Sequence, residues 1–406
     1  MLAPTGRDGH AGFLLVAPVA LRGAMVDQTR PCSSSATPVT SVTSAAVPTP
    51  ESVQPTNRPT IQSTHRPTIQ STIQPTTLAD DEAVVFVDGV PRRYQGLDPD
   101  TDYDLDGVVF RTLPRRGELL CRVTTVNDVH FGETLCGELD WFPDGPVFSV
   151  ADGETPYPEV MNRGAVAEMA AIGPDAVVVK GDLTSHGTEE EYEQFLAAYV
   201  PTFGDRLHHV RGNHDAYHGQ TFADHAPLSI ELPGVRLAVI DTVLPGRSGG
   251  QVSSAMLAWL DELAQRDDDR PLLVFGHHPV WDVTSGSRDD VFGVNPDDSK
   301  RLVELVARRP AIVGYFAGHT HRNRVQRFAS TAGVPWVEVA CVKDFPGTWA
   351  EYRVFDGGIL QVHHRISTPE ALAWSERTKV MFSGLYEQYA FGASSERNFE
   401  IRHRPR

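Results

Sequence analysis

From residue 118 onward, short apolar runs alternate with stretches whose apolar residues recur at helical spacing. "ELLCRVTTV" (118–126) and "AVVVK" (176–180) are short and almost continuously apolar, which predicts strands buried on both faces. Between them "YPEVMNRGAVAEMAAIG" (157–173) has the 3.6-residue period of an amphipathic helix and stops at a glycine. "TEEEYEQFLAAYV" (188–200) predicts a second helix, whose acidic first turn suits the positive end of the macrodipole. Strands in "LHHV" (207–210), "LSIELPGVRLAVIDT" (228–242), "PLLVFGHHP" (271–279) and "AIVGYFAGHTH" (311–321) come next. They are separated by helices in "SSAMLAWLDELAQ" (253–265) and "DDSKRLVELVARR" (297–309). From Arg324 to His364 the pattern is that of strands, with turns at Gly333 and "DGG" (356–358). This order predicts an α/β body of two packed mixed β-sheets flanked by helices.

Outside the body the pattern changes. Residues 1–79 are rich in Ser, Thr, Pro and Gln, and "RPTIQST" at 58–64 recurs at 66–72. So few large apolar residues cannot offset chain entropy, and a disordered tail is expected. Residues 80–117 carry short strand patterns around turn signals and predict a small β appendage. The body is expected over 118–366, with 367–406 a C-terminal extension packing on it. The aromatic stretch "RTKVMFSGLYEQYAFG" (377–392) is a packing segment, a lid or a homodimer contact.

Net charge and cysteines narrow the partners. The 406-residue chain carries a net charge of −17, which disfavours nucleic acid and anionic membrane as partners, since both select a basic face. Cys32, Cys121, Cys136 and Cys341 show no CxxC spacing, so reduced thiols in a cytoplasmic protein are expected. The signal-like "AGFLLVAPVALRGA" (11–24) is interrupted by Pro18, and no segment reaches the ~20 apolar residues of a membrane span.

Chemistry-bearing residues stand just beyond the strands. Asp128 and His130, Asp182, Asn213 and His214, His277, and His319 and His321 each come directly after an apolar run. Loops at the carboxyl ends of strands share one edge of an α/β scaffold, so these residues are expected to converge. Two carboxylates, one amide oxygen and four imidazoles suit two divalent ions of the Mn, Fe, Zn or Co kind. Sharing them between two ions requires a bridging carboxylate, for which Asp182 is the natural choice. Two ions about 3.5–4 Å apart would clamp a phosphoryl group and bring the pKa of a water between them towards neutrality. Gly212, before Asn213, allows a tight bend.

In this order "DVH", "GDLTSHG", "GNHD", "GHHP" and "GHTH" resemble the five blocks of the calcineurin-like metallophosphoesterases. The likeness runs from about Leu119 to about residue 366 and is strongest to the class III cyclic-nucleotide phosphodiesterases and glycerophosphodiesterases. It implies a four-layer αββα fold and hydrolysis of a small phosphodiester, such as cAMP or a glycerophosphodiester, by metal-activated water. By the same resemblance Asp128, His130, Asp182 and His321 hold one ion, and Asp182, Asn213, His277 and His319 the other. His277 is preferred to His278 because the family ligand stands two residues before the proline. His214 would donate a proton to the leaving oxygen or bind a phosphate oxygen, with Asp215 orienting it or its loop. Asn213, His214 and His186 are the candidate substrate contacts. Ser185 stands where purple acid phosphatases carry Tyr, and His186 where Ser/Thr protein phosphatases carry Arg, which disfavours both subclasses. The competing readings are a phosphomonoesterase or nuclease of the same superfamily, and a metal-binding scaffold without catalysis.

Overall fold

The structure is a computed structural model that describes residues 74–138, 145–266, 270–280 and 292–402. The signal-like segment, the repeat and Cys32 lie outside the described residues.

The chain opens with five short strands: β1 (Thr77–Leu78), β2 (Glu82–Val87), β3 (Val90–Gln95), β4 (Asp102–Leu105) and β5 (Val108–Arg111). They pair antiparallel as β1-β2-β3 and β4-β5 around a small core of Leu78, Val85, Leu97, Val108 and Phe110. The appendage therefore starts before residue 80. Thr77 and Leu78 pair with Val84 and Ala83, and the Leu78 amide donates to Asn398 Oδ1 at 3.1 Å.

The body contains β6 (Leu119–Val126), α1 (Tyr157–Ile172), β7 (Ala176–Lys180), α2 (Glu189–Phe203), β8 (Leu207–Val210), β9 (Leu228–Leu232) and β10 (Val235–Val239). It continues with α3 (Ser254–Leu263), β11 (Leu272–Phe275), α4 (Pro296–Arg308), β12 (Ile312–Ala317), β13 (Arg324–Arg327) and β14 (Pro335–Glu338). Last come β15 (Thr348–Phe355), β16 (Gly358–Arg365), α5 (Pro369–Thr378), α6 (Tyr386–Phe391), α7 (Ser394–Arg397) and β17 (Phe399–Ile401). Local signals set several of these boundaries. Gly173 ends α1 in the left-handed conformation, at φ 62°. Thr188 and Glu191 close a capping box on α2.

Two six-stranded mixed sheets result, in the orders β17-β16-β15-β6-β7-β8 and β13-β14-β12-β11-β10-β9. In the first, β6, β7 and β8 run parallel; in the second, β10, β11, β12 and β14 do. Val123, Val178, Val239, Phe275, Phe316 and Tyr352 pack between the sheets. The outer face of the first sheet is covered by α1, α2, α5 and α6, and that of the second by α3 and α4. The four layers are αββα. β17 pairs with β16, so the C-terminal extension supplies an edge strand of the body. No described helix is long and apolar enough to cross a membrane.

Candidate active site

The parallel strands deliver their C-terminal loops to one end of the sandwich. Asp128, His130, Asp182, His319 and His321 all take positive φ, between 48° and 68°. A left-handed non-glycine residue costs roughly 1–2 kcal/mol and persists only where its surroundings hold it. Here the restraints are visible: the amides of Asp128 and His130 donate to the carbonyls of Gly181 and Asp182, at 3.1 and 2.9 Å.

The seven candidate ligands meet in a buried cluster. Asp182 Oδ2 lies 3.5 Å from His130 Nε2 and 3.2 Å from His277 Nε2, so one oxygen faces two groups of side chains. On one side, Asp128 Oδ1 is 3.5 Å from His321 Nε2. On the other, Asn213 Oδ1 is 3.0 Å from His277 Nε2, and the His277 and His319 rings are 5.1 Å apart. The Nε2 atoms of His130 and His319 are buried and have no hydrogen-bond partner among the described residues. Buried polar atoms left unpaired are costly; a cation in each group would engage them, and nitrogen and carboxylate donors suit one.

Neighbouring groups set which way each ligand points. His277 donates Nδ1–H to the Lys180 carbonyl at 2.8 Å, which turns Nε2 towards the cluster. His278, its neighbour, has both ring nitrogens engaged, by the Thr242 hydroxyl at 2.9 Å and the Ser248 carbonyl at 3.1 Å. Asn213 donates its amide N–H to the Tyr217 hydroxyl at 2.6 Å, which turns Oδ1 inward. Asp128 accepts from the His319 amide at 3.0 Å and from Asn127. Glu133 stands 3.2 Å from His130 Nδ1, and is itself held by Lys343.

These surroundings shift the charges. Burial opposes ionisation of Asp128, yet His321 holds it well below the usual carboxylate range. Asp182 is likewise depressed, by His277 and His214 against the effect of burial. Burial alone would lower His277, but the Asp182 carboxylate raises it to about 9. His130 and His319, buried and close to other cationic groups, are pushed down to about 4 and about 3.

His214 sits at the edge of the cluster, its ring 4.6 Å from that of His130. Its amide donates to Asp182 Oδ1 at 3.0 Å and its Nδ1–H to the Ser185 carbonyl at 2.8 Å. Asp215 faces away, beneath the loops, and accepts from Gly212 N, Leu183 N, Thr184 N and the Thr184 hydroxyl at 2.6–3.0 Å. It braces two loops and does not reach the reacting position. Burial and the Asp182 charge lift its pKa to about 6, against these four donors. Gly212 is not in the left-handed region: a Cβ there would collide with the Asp182 carboxylate and amide, so close approach rather than bending requires glycine.

A cavity of about 510 Å³ opens over His130, Asp182, Asn213, His214, His319 and His321. His186 is on its rim, mostly exposed and paired with Glu191 at 2.8 Å; His218 is there too. His209 and His225 bond each other elsewhere, at 3.1 Å. Leu135, Tyr217, Phe292, Met381 and Phe382 add an apolar wall. A larger cleft of about 710 Å³, by Arg327, Glu400 and Arg402, contains none of the site residues.

Sequence reading missed Glu133, Lys343, Tyr217 and Lys180. Glu133, three residues after His130, and Lys180, an unexpected charge in "AVVVK", left a trace; Lys343 gave none, because only folding brings it to Glu133. The extension also proves to be part of the site. Tyr386 donates to Asp344 at 2.7 Å and Tyr389 to the Thr320 carbonyl of "GHTH" at 2.8 Å, while Met381 and Phe382 line the cavity.

A family model for calcineurin-like phosphoesterase matches residues 121–323, half of the chain and every candidate ligand. The chain belongs to the calcineurin-like phosphoesterases. Within this family it is 30% identical over 203 residues to a probable cyclic nucleotide phosphodiesterase of Rhodococcus erythropolis, covering 47% of this chain and 64% of that one. It is 31% identical over 178 residues to a glycerophosphodiester phosphodiesterase of Enterobacter lignolyticus, covering 40% and 62%. A cAMP/cGMP dual specificity phosphodiesterase of Mycobacterium tuberculosis is 28% identical over 204 residues, covering 47% and 61%. The chain thus spans less than two thirds of the length of these relatives. A dimetal phosphatase from Danio rerio shares the fold, with a TM-score of 0.50 and 13% identity over 71% of this chain and all of that one.

Proposed function

We propose that this calcineurin-like phosphoesterase is a dinuclear metal-dependent phosphodiesterase acting on a small substrate, such as a 3',5'-cyclic nucleotide or a glycerophosphodiester. The observation that carries the reading is the position of Asp182, one of whose carboxylate oxygens faces His130 on one side and His277 on the other. Asp128, His130, Asp182 and His321 would hold one divalent ion, and Asp182, Asn213, His277 and His319 the second. When bound, the pair would neutralise phosphoryl charge and lower the pKa of water.

The chain's own residues supply orientation and a proton. The Lys180 and Ser185 carbonyls fix the rings of His277 and His214 through their Nδ1–H groups. That leaves His214 Nε2 free to act from the cavity side, where it would donate a proton to the departing ester oxygen. Leu135, Phe292, Met381 and Phe382 offer an apolar surface to an organic group on phosphorus, which favours an ester with a sizeable alcohol. The relatives named as cyclic nucleotide and glycerophosphodiester phosphodiesterases support the same class. Among described residues the cavity's one lysine, Lys343, is already engaged by Glu133 and Asp344, which leaves no lysine for a polyanion's further phosphates.

The reading is tested by turnover of bis-p-nitrophenyl phosphate, p-nitrophenyl phosphate, cyclic nucleotides and glycerophosphodiesters after chelation and return of Mn²⁺. Diester hydrolysis that disappears on chelation, returns with metal and is absent from Asp182→Ala is expected. Faster monoester than diester turnover would move the assignment to a phosphomonoesterase, and two bound ions without any turnover to a scaffold.

A further inference from the structure

Lys180 is the last residue of β7, two positions before Asp182, and is completely buried. Its Nζ donates to the carbonyl of Ala317 at 2.9 Å, the last residue of β12 in the opposite sheet and two positions before His319. Its own carbonyl accepts Nδ1–H from His277, in the loop after β11. One residue thus touches the chain segments that carry three of the five ligand blocks.

The placement is costly. An ammonium group has three donors, and among the described residues this one has a single hydrogen-bond acceptor and no carboxylate at ion-pair distance. A methionine would fill similar space without desolvating a charge. What the lysine provides is reach. Packed sheets stand ≈ 10 Å apart, and the β7 and β12 ladders share no backbone hydrogen bond. The loops after β6 and β12 are tied where the His319 amide donates to Asp128; Lys180 adds a tie between β7 and β12 themselves, where metal–ligand distances tolerate only about 0.2 Å.

We propose that Lys180 is a positioning residue of the metal centre, a side-chain strut that sets the spacing between the Asp182 end of one sheet and the His319–His321 end of the other. The inference rests on the two-metal reading. A lysine serving the centre only as a nearby positive charge would act in the opposite sense, since its removal would tighten cation binding.

The test is calorimetric titration of metal-free wild type and Lys180→Met with Co²⁺, alongside near-UV circular dichroism and the visible Co²⁺ spectrum. Wild type is expected to bind two ions. Lys180→Met is expected to keep the near-UV signature, bind at least one ion about 10–100-fold more weakly, and shift the Co²⁺ bands that report ligand geometry. Unchanged or tighter binding with an intact near-UV signature overturns the strut. Wild type binding no ion removes the two-metal reading, and the strut with it. If Lys180→Met does not fold, Lys180→Gln serves: its shorter side chain keeps a donor that falls short of Ala317, and the same weakening is expected.

Discussion

At the scale of residues, His214 is separated from the candidate ligands beside it by what its ring nitrogens face. Nδ1 is committed to the Ser185 carbonyl, and the ring, beside His130 at the edge of the cluster, is only partly buried and opens onto the cavity. His214→Ala should therefore keep both ions, measured by elemental analysis, while lowering kcat about 10²–10⁴-fold. The loss should be greatest for esters with poor leaving groups; an equal loss across leaving groups would exclude a proton-donating role. His277 gives the pH dependence. Its pKa is raised from 6.5 to about 9, so at pH 7 the metal-free protein carries a proton that an incoming ion must displace. The stabilising contribution of the His277–Asp182 pair to the metal-free fold is complete below pH 6.5 and is lost as pH rises through about 9. Apparent metal affinity should accordingly climb from pH 6.5 to pH 9. Calorimetry at pH 7 in buffers of different ionisation enthalpy should register proton release, and its absence would contradict the assignment.

At the scale of elements, the site is built from the loops at the carboxyl ends of the strands. The strands were legible because their apolar runs are continuous, and the loops because polar residues begin where those runs stop. How sharply the loops turn was not legible: Asp128, His130, Asp182, His319 and His321 all hold left-handed backbone, which is uncommon outside glycine even though Asp and His adopt it more readily than most residues. The loops are restrained by contacts from elsewhere, among them Asp215 under the Asp182 and Asn213 loops and Tyr389 of α6 on the Thr320 carbonyl. Gly212 shows how little space remains. Gly212→Ala would drive a methyl group into the Asp182 carboxylate, and should cost about 1–3 kcal/mol of stability together with measurable loss of bound metal. Wild-type metal content in that variant would show that the two loops can part without consequence.

At the scale of the whole molecule, the appendage is joined to the body by charge. Arg353 of β15, almost fully buried, pairs with Asp80, Asp81, Glu82 and Glu351 at 2.6–3.1 Å, and Ala79 packs on Phe355 and Leu360. A buried pair is weak evidence of net stabilisation, but removing one partner strands the others. Arg353→Met should lower unfolding free energy by about 3–5 kcal/mol in denaturant titration. Arg353 lies opposite Arg122, well back along β6 from Asp128, so kcat/KM at a temperature where the variant is folded should stay near wild type. A large fall in kcat/KM would mean that the junction reaches the site.

The sequence by itself determined the class of fold, the alternation of strands and helices in the body, and the set of candidate ligands that come together, because hydrophobic periodicity and the polar residues ending each run are local properties. The tertiary structure alone decided how those residues are aimed. Which imidazole nitrogen is left free, why His278 is spent on Thr242 and Ser248, why Gly212 has no room for a methyl group, and how Lys180, Glu133, Lys343 and the C-terminal extension come to the site all depend on contacts between segments distant in the chain. Such contacts leave no periodic trace, since each is specified by the packing of two sheets and the loops between them rather than by the spacing of residues along either one.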